Sequence, residues 1–280
     1  MPRAIRPWPV GRDAQPDPAA FAAKYRNRAP FMFEATASAA GADGKALLAT
    51  LASAPAAAES EQLVDILCAL DGRRFLKHEL TSHVSAPLAS SMEEILYTRS
   101  ENIIHQRLYL RAYLDQVPAW RANLQPVLEQ LGSMTGRDFC DKNVGIWVSS
   151  AGCETPLHFD LCHGFLIQCT GRKTFLLAPP SDTGCLYWSA DSTAGSKNRT
   201  TSPVDLFAWT RGDEEQQKRF PEVDSASFRV AELEAGSALY TPPGWWHAVI
   251  SETASVSVLV PFDPDPESSS DQLPHNALSL

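Results

Sequence analysis

The chain has 280 residues, 44% of them hydrophobic, enough for one large domain or one domain with a helical annex. A net charge of −9 and a pI of about 5.3 argue against a broad nucleic-acid footprint. No apolar run is long enough to span a membrane, and the Pro/Arg-rich start has no apolar signal core. The six cysteines include no C-x-x-C pair, which predicts reduced thiols in a cytoplasmic protein, not a disulfide frame or zinc site.

Residues 1–16 lack periodicity and predict an extended lead-in. Asp17 and Pro18 suit the N-cap and first position of a short helix running to about Tyr25. Pro30–Glu34 predicts a short strand, and the Ala-rich stretch near Leu47–Leu51 a helix. Over Glu59–Leu70, the spacing of Leu63, Ile66, Leu67 and Leu70 predicts a helix ended by Gly72. Ser91-Met-Glu-Glu94 resembles a capping box opening a helix through Leu96. Trp120–Leu131 predicts a third helical region, broken or restarted at Pro126.

From about residue 143 the period changes to two. Strands are predicted at Gly145–Val148, Leu157–Asp160, Phe165–Cys169, Lys173–Leu177, Phe228–Leu233, Ala238–Tyr240, His247–Ile250 and Ser255–Val260. Thr170-Gly171 supplies a turn. The polar stretch 181–226 is too long for a simple connection and is expected to be functional. Residues 263–280 are Pro/Ser/Asp-rich and predict a disordered tail. The fold class is therefore mainly β with N-terminal helices: a helical layer over 17–142 with flanking strands, then a sandwich or barrel core over 143–262.

Two segments of this core carry chemistry. His158 and Asp160 lie two residues apart in a strand-like stretch and are expected to share a face. His247, in Pro243-Gly-Trp-Trp-His247, comes from a distant segment of similar character. Two imidazoles and one carboxylate on one side of a metal leave its other side open, as in non-haem Fe(II) oxygenases. H-x-D alone is weak, since chance surface pairs are common; Lys173, Thr155 and the Trp-Trp-His segment strengthen it. Lys173 follows His158 by fifteen residues, on the returning strand, and as an in-facing charge it needs an anionic partner.

Thr155–Asp160, Phe165–Pro180 and Leu239–His247 together resemble the JmjC hydroxylases, in the cupin-like branch around the asparaginyl hydroxylase of hypoxia-inducible factor. The resemblance is specific over about 143–262 and weaker over 18–115. It implies a double-stranded β-helix (jelly-roll) holding Fe(II) by His158, Asp160 and His247, with 2-oxoglutarate as cosubstrate and molecular oxygen as co-reactant. It further implies that Lys173, Thr155 and Tyr109 hold the far carboxylate of 2-oxoglutarate. Gly164 and Leu259 depart from that branch, standing where it has asparagines near the cosubstrate. The branch also dimerises through C-terminal helices, which a tail beginning Asp263-Pro-Asp-Pro is not expected to form.

Other residues read more plainly. His163 is expected in a solvent-facing loop, Trp245 and Trp246 in the core or a pocket wall, and Arg211–Arg219 on a solvated helix. The expected reaction is hydroxylation of a peptide or protein side chain. Alternatives are the same chemistry on a free amino acid or natural product, N-demethylation, or a metal-binding cupin scaffold without oxygenase activity. The acidic residues of 181–226 (Asp182, Asp191, Asp205, Asp213, Glu214, Glu215) predict a rim favouring neutral or cationic substrate groups. Neither nucleic acid nor membrane is an expected partner.

Overall fold

Two β-sheets organise the computed structural model, which describes residues 4–35, 44–51, 57–69, 81–97, 107–189 and 200–262. The first strands are β1 (Trp8–Pro9), β2 (Phe31–Glu34), β3 (Leu63–Ala69), β4 (Thr81–Pro87), β5 (Leu108–Tyr113) and β6 (Gly145–Ser149). They continue with β7 (Glu154–Phe159), β8 (His163–Thr170), β9 (Lys173–Ala178), β10 (Arg229–Leu233), β11 (Ser237–Thr241), β12 (Trp246–Ser251) and β13 (Ser255–Phe262). One sheet has the order β1-β10-β9-β12-β7, the other β2-β11-β8-β13-β6-β5-β3-β4. Their pairs are antiparallel except β1 with β10. The period-two stretches predict a sandwich or barrel, and the arrangement is the jelly-roll that the family resemblance implies.

The sequence shows why the strands turn where they do. Gly171 sits at φ +75 between β8 and β9, where a Cβ would collide with the Ala254 carbonyl, so only glycine fits. The helices are α1 (Pro18–Lys24), α2 (Gly44–Leu51), α3 (Ala57–Ser60), α4 (Leu88–Tyr97) and α5 (Arg121–Thr135). Asp17 caps α1 as expected, accepting from the Ala20 amide at 2.8 Å.

Three apolar clusters fix the layers. Phe21, Met92, Trp120 and Leu131 pack on the outward residues of the eight-stranded sheet, among them Leu110, Ile146, Val148, Val256 and Val258. Phe175, Leu177, Ala231, Leu239 and Val249 fill the space between the sheets. The third cluster lies on the outer face of the five-stranded sheet. There Leu157, Phe159, Leu176 and Trp246 meet Leu186, Trp209, Phe220 and Val223 of the 181–226 stretch. That stretch contributes α6 (Leu206–Thr210) and α7 (Glu214–Arg219) and forms a structural cover for the sheet's back.

Several local expectations fail. The helix predicted over Glu59–Leu70 is strand β3, preceded by the single turn α3. Val64, Ile66 and Cys68 join the outer core while Leu67 and Ala69 pack on Cys153, so both faces are apolar and the period is masked. Ser91 lies inside α4, its hydroxyl donating back to the Pro87 carbonyl at 2.6 Å, instead of opening the helix. Helix α5 runs unbroken through Pro126, held by buried Leu124, Val127, Leu128, Leu131 and Met134. That packing offsets a helix-interior proline cost of about 3 kcal/mol. The strands β3, β4 and β5 extend the second sheet into the region read as a helical layer. The expected disordered tail, and the expectation that it forms no dimer helices, concern residues 263–280, outside the described residues.

Candidate metal and cosubstrate site

Strand β7 places the first candidate ligand through a bulge. His158 pairs directly with His247, and Thr155 pairs with Val249, so three steps on β7 face two on β12. Pro156 lies in the extra residue's place, where it has no amide to give the ladder. The bulge turns Thr155 and His158, three residues apart, to the same interior side. Leu157 and Phe159 then face the outer cluster. On the free edge of β7, Phe159 donates to the Thr200 carbonyl at 3.1 Å and Ser202 to the Leu157 carbonyl at 2.9 Å, which pins the His158 backbone from outside.

Asp160 is the first residue past β7, not a strand residue as expected, and its carbonyl accepts from the Gly244 amide at 2.8 Å. That bond ties the Asp160 turn to the loop preceding His247. His158, Asp160 and His247 offer one ligand atom each within 4.8 Å of one another. The Nε2 atoms of His158 and His247 lie 4.0 and 3.7 Å from the two Asp160 oxygens. Each imidazole is oriented from behind by a carbonyl two residues upstream: His158 Nδ1 with Pro156 at 2.8 Å, His247 Nδ1 with Trp245 at 3.0 Å. With Nδ1–H donating there, both Nε2 lone pairs point at one centre. Burial, helped by the neighbouring His158, pushes the His247 pKa down to about 4, so its ring is neutral and able to ligate. The Asp160 side chain is 41% exposed, and the triad opens to solvent on that side.

The residues expected to meet the cosubstrate also come together. Lys173 begins β9, pairs with Ser251, and is 2% exposed. Its ammonium lies 5.7 Å over the Tyr109 ring, and no carboxylate of the described residues is within ion-pair reach. Burial pushes its pKa down to about 8. Burial also raises the Tyr109 phenol, which is hydrogen-bonded to the Thr155 side chain. Cys153 lies beside them, its thiol pushed up to about 11 by burial and therefore a packing group. Leu259 Cδ1 stands 3.6 Å from where a Gly164 Cβ would project, so leucine occupies part of the space that glycine leaves.

Other expectations need correction. His163 is fully buried, bonded through Nδ1 to the Tyr240 hydroxyl at 2.7 Å and stacked on Phe262, because the last residue of β13 packs against its ring. The acidic rim is largely structural: Asp205 and Asp213 cap α6 and α7, and Asp182 accepts from the Ser227 amide. Asp191 lies outside the described residues. Helix α7 has no buried residue, as expected. Arg211 departs from that solvated run, reaching buried Glu154 at 2.8 Å. Trp245 and Trp246 are buried walls. Sequence reading also missed the polar interior: Ser149 bonds Ser251 and Ser255, and Ser257 bonds Gln168. The signal was the Ser/Val alternation of β13, whose valines face the outer core and whose serines face inward.

A jelly-roll whose two sheets enclose a His/Asp/His cluster defines a cupin-type domain. Residues 38–268 match the family described as the cupin-like domain, and the chain belongs to that family. It is similar to lysine-specific demethylase JMJ30 of Arabidopsis thaliana, 29% identical over 217 residues, covering 74% of this chain and 47% of that protein. Jumonji C domain-containing protein 5 of Drosophila melanogaster is 32% identical over 117 residues, 41% of this chain and 26% of that one. The tRNA wybutosine-synthesizing protein 5 of Gallus gallus is 35% identical over 113 residues, 40% and 31% of the respective chains. The chain spans less than half the length of each of these relatives. No helix among the described residues is long and apolar enough to cross a membrane.

Proposed function

We propose that this chain is an Fe(II)- and 2-oxoglutarate-dependent oxygenase that hydroxylates a peptide or protein side chain. The supporting observation is the pairing of two features: a tethered His158/Asp160/His247 cluster open on one side, and a buried Lys173 with no carboxylate partner among the described residues. The donor set suits Fe(II), with two imidazoles and a carboxylate. When bound, Fe(II) and 2-oxoglutarate supply oxygen activation: one oxygen atom enters the substrate C–H bond, the other enters succinate, and carbon dioxide leaves.

The chain's own residues do the positioning. Pro156 and Trp245 carbonyls keep the imidazoles in the ligating tautomer. Lys173 and the Thr155 hydroxyl hold the distal carboxylate of 2-oxoglutarate, and Tyr109 orients Thr155. The apolar layer of Phe175, Leu177 and Val249 keeps water from behind the reacting groups. Gly164 and Leu259 give the cosubstrate a less polar neighbour than the asparaginyl-hydroxylase branch provides. Six cysteines outside any disulfide accord with a reducing cytoplasmic setting.

Aerobic incubation with Fe(II), 2-oxoglutarate and peptide and amino-acid panels tests the reading. Succinate and a product heavier by one oxygen atom are expected on peptides; turnover confined to free amino acids would move the substrate class. A second reading follows from the likeness to a lysine-specific demethylase over 74% of the chain. Hydroxylation of an N-methyl carbon would release formaldehyde and leave a lighter product.

A further inference from the structure

Arg111 and Trp147 are direct partners across β5 and β6, and both face the space between the sheets. Their height in the barrel follows from register. The chain leaves the metal cluster at Asp160 and enters β8 at His163 and Gly164, so this end of β8 is the metal end. Leu259 touches Gly164 and pairs with Gly145, which pairs with Tyr113. Those residues form the rim. Arg111 and Trp147 lie one inward row deeper, and Tyr109, beneath the Lys173 ammonium, one row deeper still.

Both residues hold hydrogen-bond donors that no described residue accepts. The Arg111 guanidinium lies 5.9 Å from the Tyr113 and Trp147 rings, and its nearest carboxylate, Asp65 on β3, is 3.6 Å away. That distance makes an ion pair without a hydrogen bond. The Trp147 indole nitrogen is buried and also unmatched. A Cβ at Gly145 would stand 2.8 Å from that nitrogen, so glycine is what lets the indole lie across the strand. A buried N–H without an acceptor is costly, and a planar guanidinium beside it matches a two-oxygen acceptor.

We propose that Arg111 and the Trp147 N–H form a subsite for a carboxylate of the substrate, between the rim and the Lys173 pocket. The inference rests on the oxygenase reading for what the bound group is there to do. A carboxylate can come from an acidic side chain or from a peptide C-terminus. The Arg111 guanidinium at this row, 33% exposed, therefore works against the cation preference that the acidic insertion suggested.

The test is calorimetric binding of matched short peptides to the full chain, metal-free and Zn(II)-loaded. One set compares internal Glu with Gln; the other compares a free C-terminal acid with its amide. The acid member of at least one set should bind roughly tenfold tighter, equivalent to about 1.4 kcal/mol. Arg111→Gln should bring acid and neutral members to parity, Arg111→Lys should retain part of the preference, and Trp147→Phe should reduce it. Asp65→Asn should increase it by removing the competing carboxylate. No acid preference in the wild-type chain, including no binding at all, overturns the subsite, as does a preference that survives Arg111→Gln. Loss of 2-oxoglutarate binding in Arg111→Gln, with peptide preference unchanged, assigns Arg111 to the cosubstrate and also overturns it. Acid-selective binding in a wild-type chain that takes up no 2-oxoglutarate would uphold the subsite while removing the oxygenase reading.

Discussion

The two faces of the five-stranded sheet have opposite character although the same strands make both. Trp246 turns outward into an apolar cluster with Phe159 and Leu186, while His247, the next residue, turns inward to the candidate metal ligands His158 and Asp160. Leu157 and His158 divide the same way. On the outer face, Leu206, Trp209 and Phe220 of the 181–226 stretch seal the sheet. On the inner face, Thr155, Lys173, His247 and Ser251 gather polar atoms that would be poorly placed on an unsupported strand. The lesson is that the insertion acts from behind. Its described residues brace the strands from which His158 and His247 project inward.

The largest effect should come from the inner face. His247→Ala or Asp160→Ala should weaken Fe(II) or Mn(II) binding more than about a hundredfold, beyond the usual range for losing an outer partner. Their folding should change little. Titration of the metal against each variant checks this, and retained affinity would dissolve the distinction between the faces. The outer face should show the reverse. Trp209→Ala empties a fully buried site and removes the indole bond to the Phe220 carbonyl. A loss of roughly 3–5 kcal/mol in unfolding free energy is expected, read by urea denaturation, with metal affinity in the surviving folded fraction nearly unchanged.

The inner face was the more legible from sequence. H-x-D, the fifteen-residue step to Lys173 and the Trp-Trp-His segment are local or nearly local signals. Period-two strands such as β13 also read directly, because its valines face the outer core and its serines the interior. What escaped depends on distant partners. Strand β3 is apolar on both faces, so its leucine spacing imitates a helix. His163 is buried by Phe262, ninety-nine residues onward in the chain. Arg211 looks like one charge in a solvated run until Glu154 appears beneath it. The bulge at Pro156 reverses a simple alternation count, which would have put Thr155 and His158 on opposite faces.

Next in size is Lys173, where stability and ligand affinity should respond to pH in opposite directions. Its folded pKa of about 8 lies below the ordinary 10.5, so between these values the unfolded chain holds more protons. Stability of the ligand-free protein should therefore rise with pH across that window, the burial penalty being present in full below pH 8. The 2-oxoglutarate affinity should fall as pH passes above 8, because only the ammonium pairs with the carboxylate. Lys173→Met should flatten both trends. It should stabilise the ligand-free chain at pH 7 yet weaken 2-oxoglutarate binding roughly tenfold to a hundredfold, the equivalent of about 1.5–3 kcal/mol for a charged hydrogen bond. Thermal melts and calorimetry over pH 7–10.5 read both. Parallel rather than opposed trends would separate Lys173 from the cosubstrate.

The smallest effect tests whether the back of the sheet reaches its front. Glu154 is buried at the start of β7, one residue before Thr155, and meets Arg211 from the end of α6 at 2.8 Å. The Arg211 side chain is 47% exposed, so water screens the pair and its own contribution is modest. Glu154→Gln keeps the volume and one hydrogen-bond acceptor while removing the charge. A stability loss of about 1 kcal/mol or less is expected. The informative quantity is the ratio of cosubstrate to metal affinity. Thr155 sits on the near side of the Pro156 bulge and His158 on the far side, so loosening the start of β7 should disturb Thr155 first. The 2-oxoglutarate affinity should drop a fewfold while metal affinity holds. If both fall together, the bulge does not isolate the two ends of β7 and the strand responds as one rigid piece.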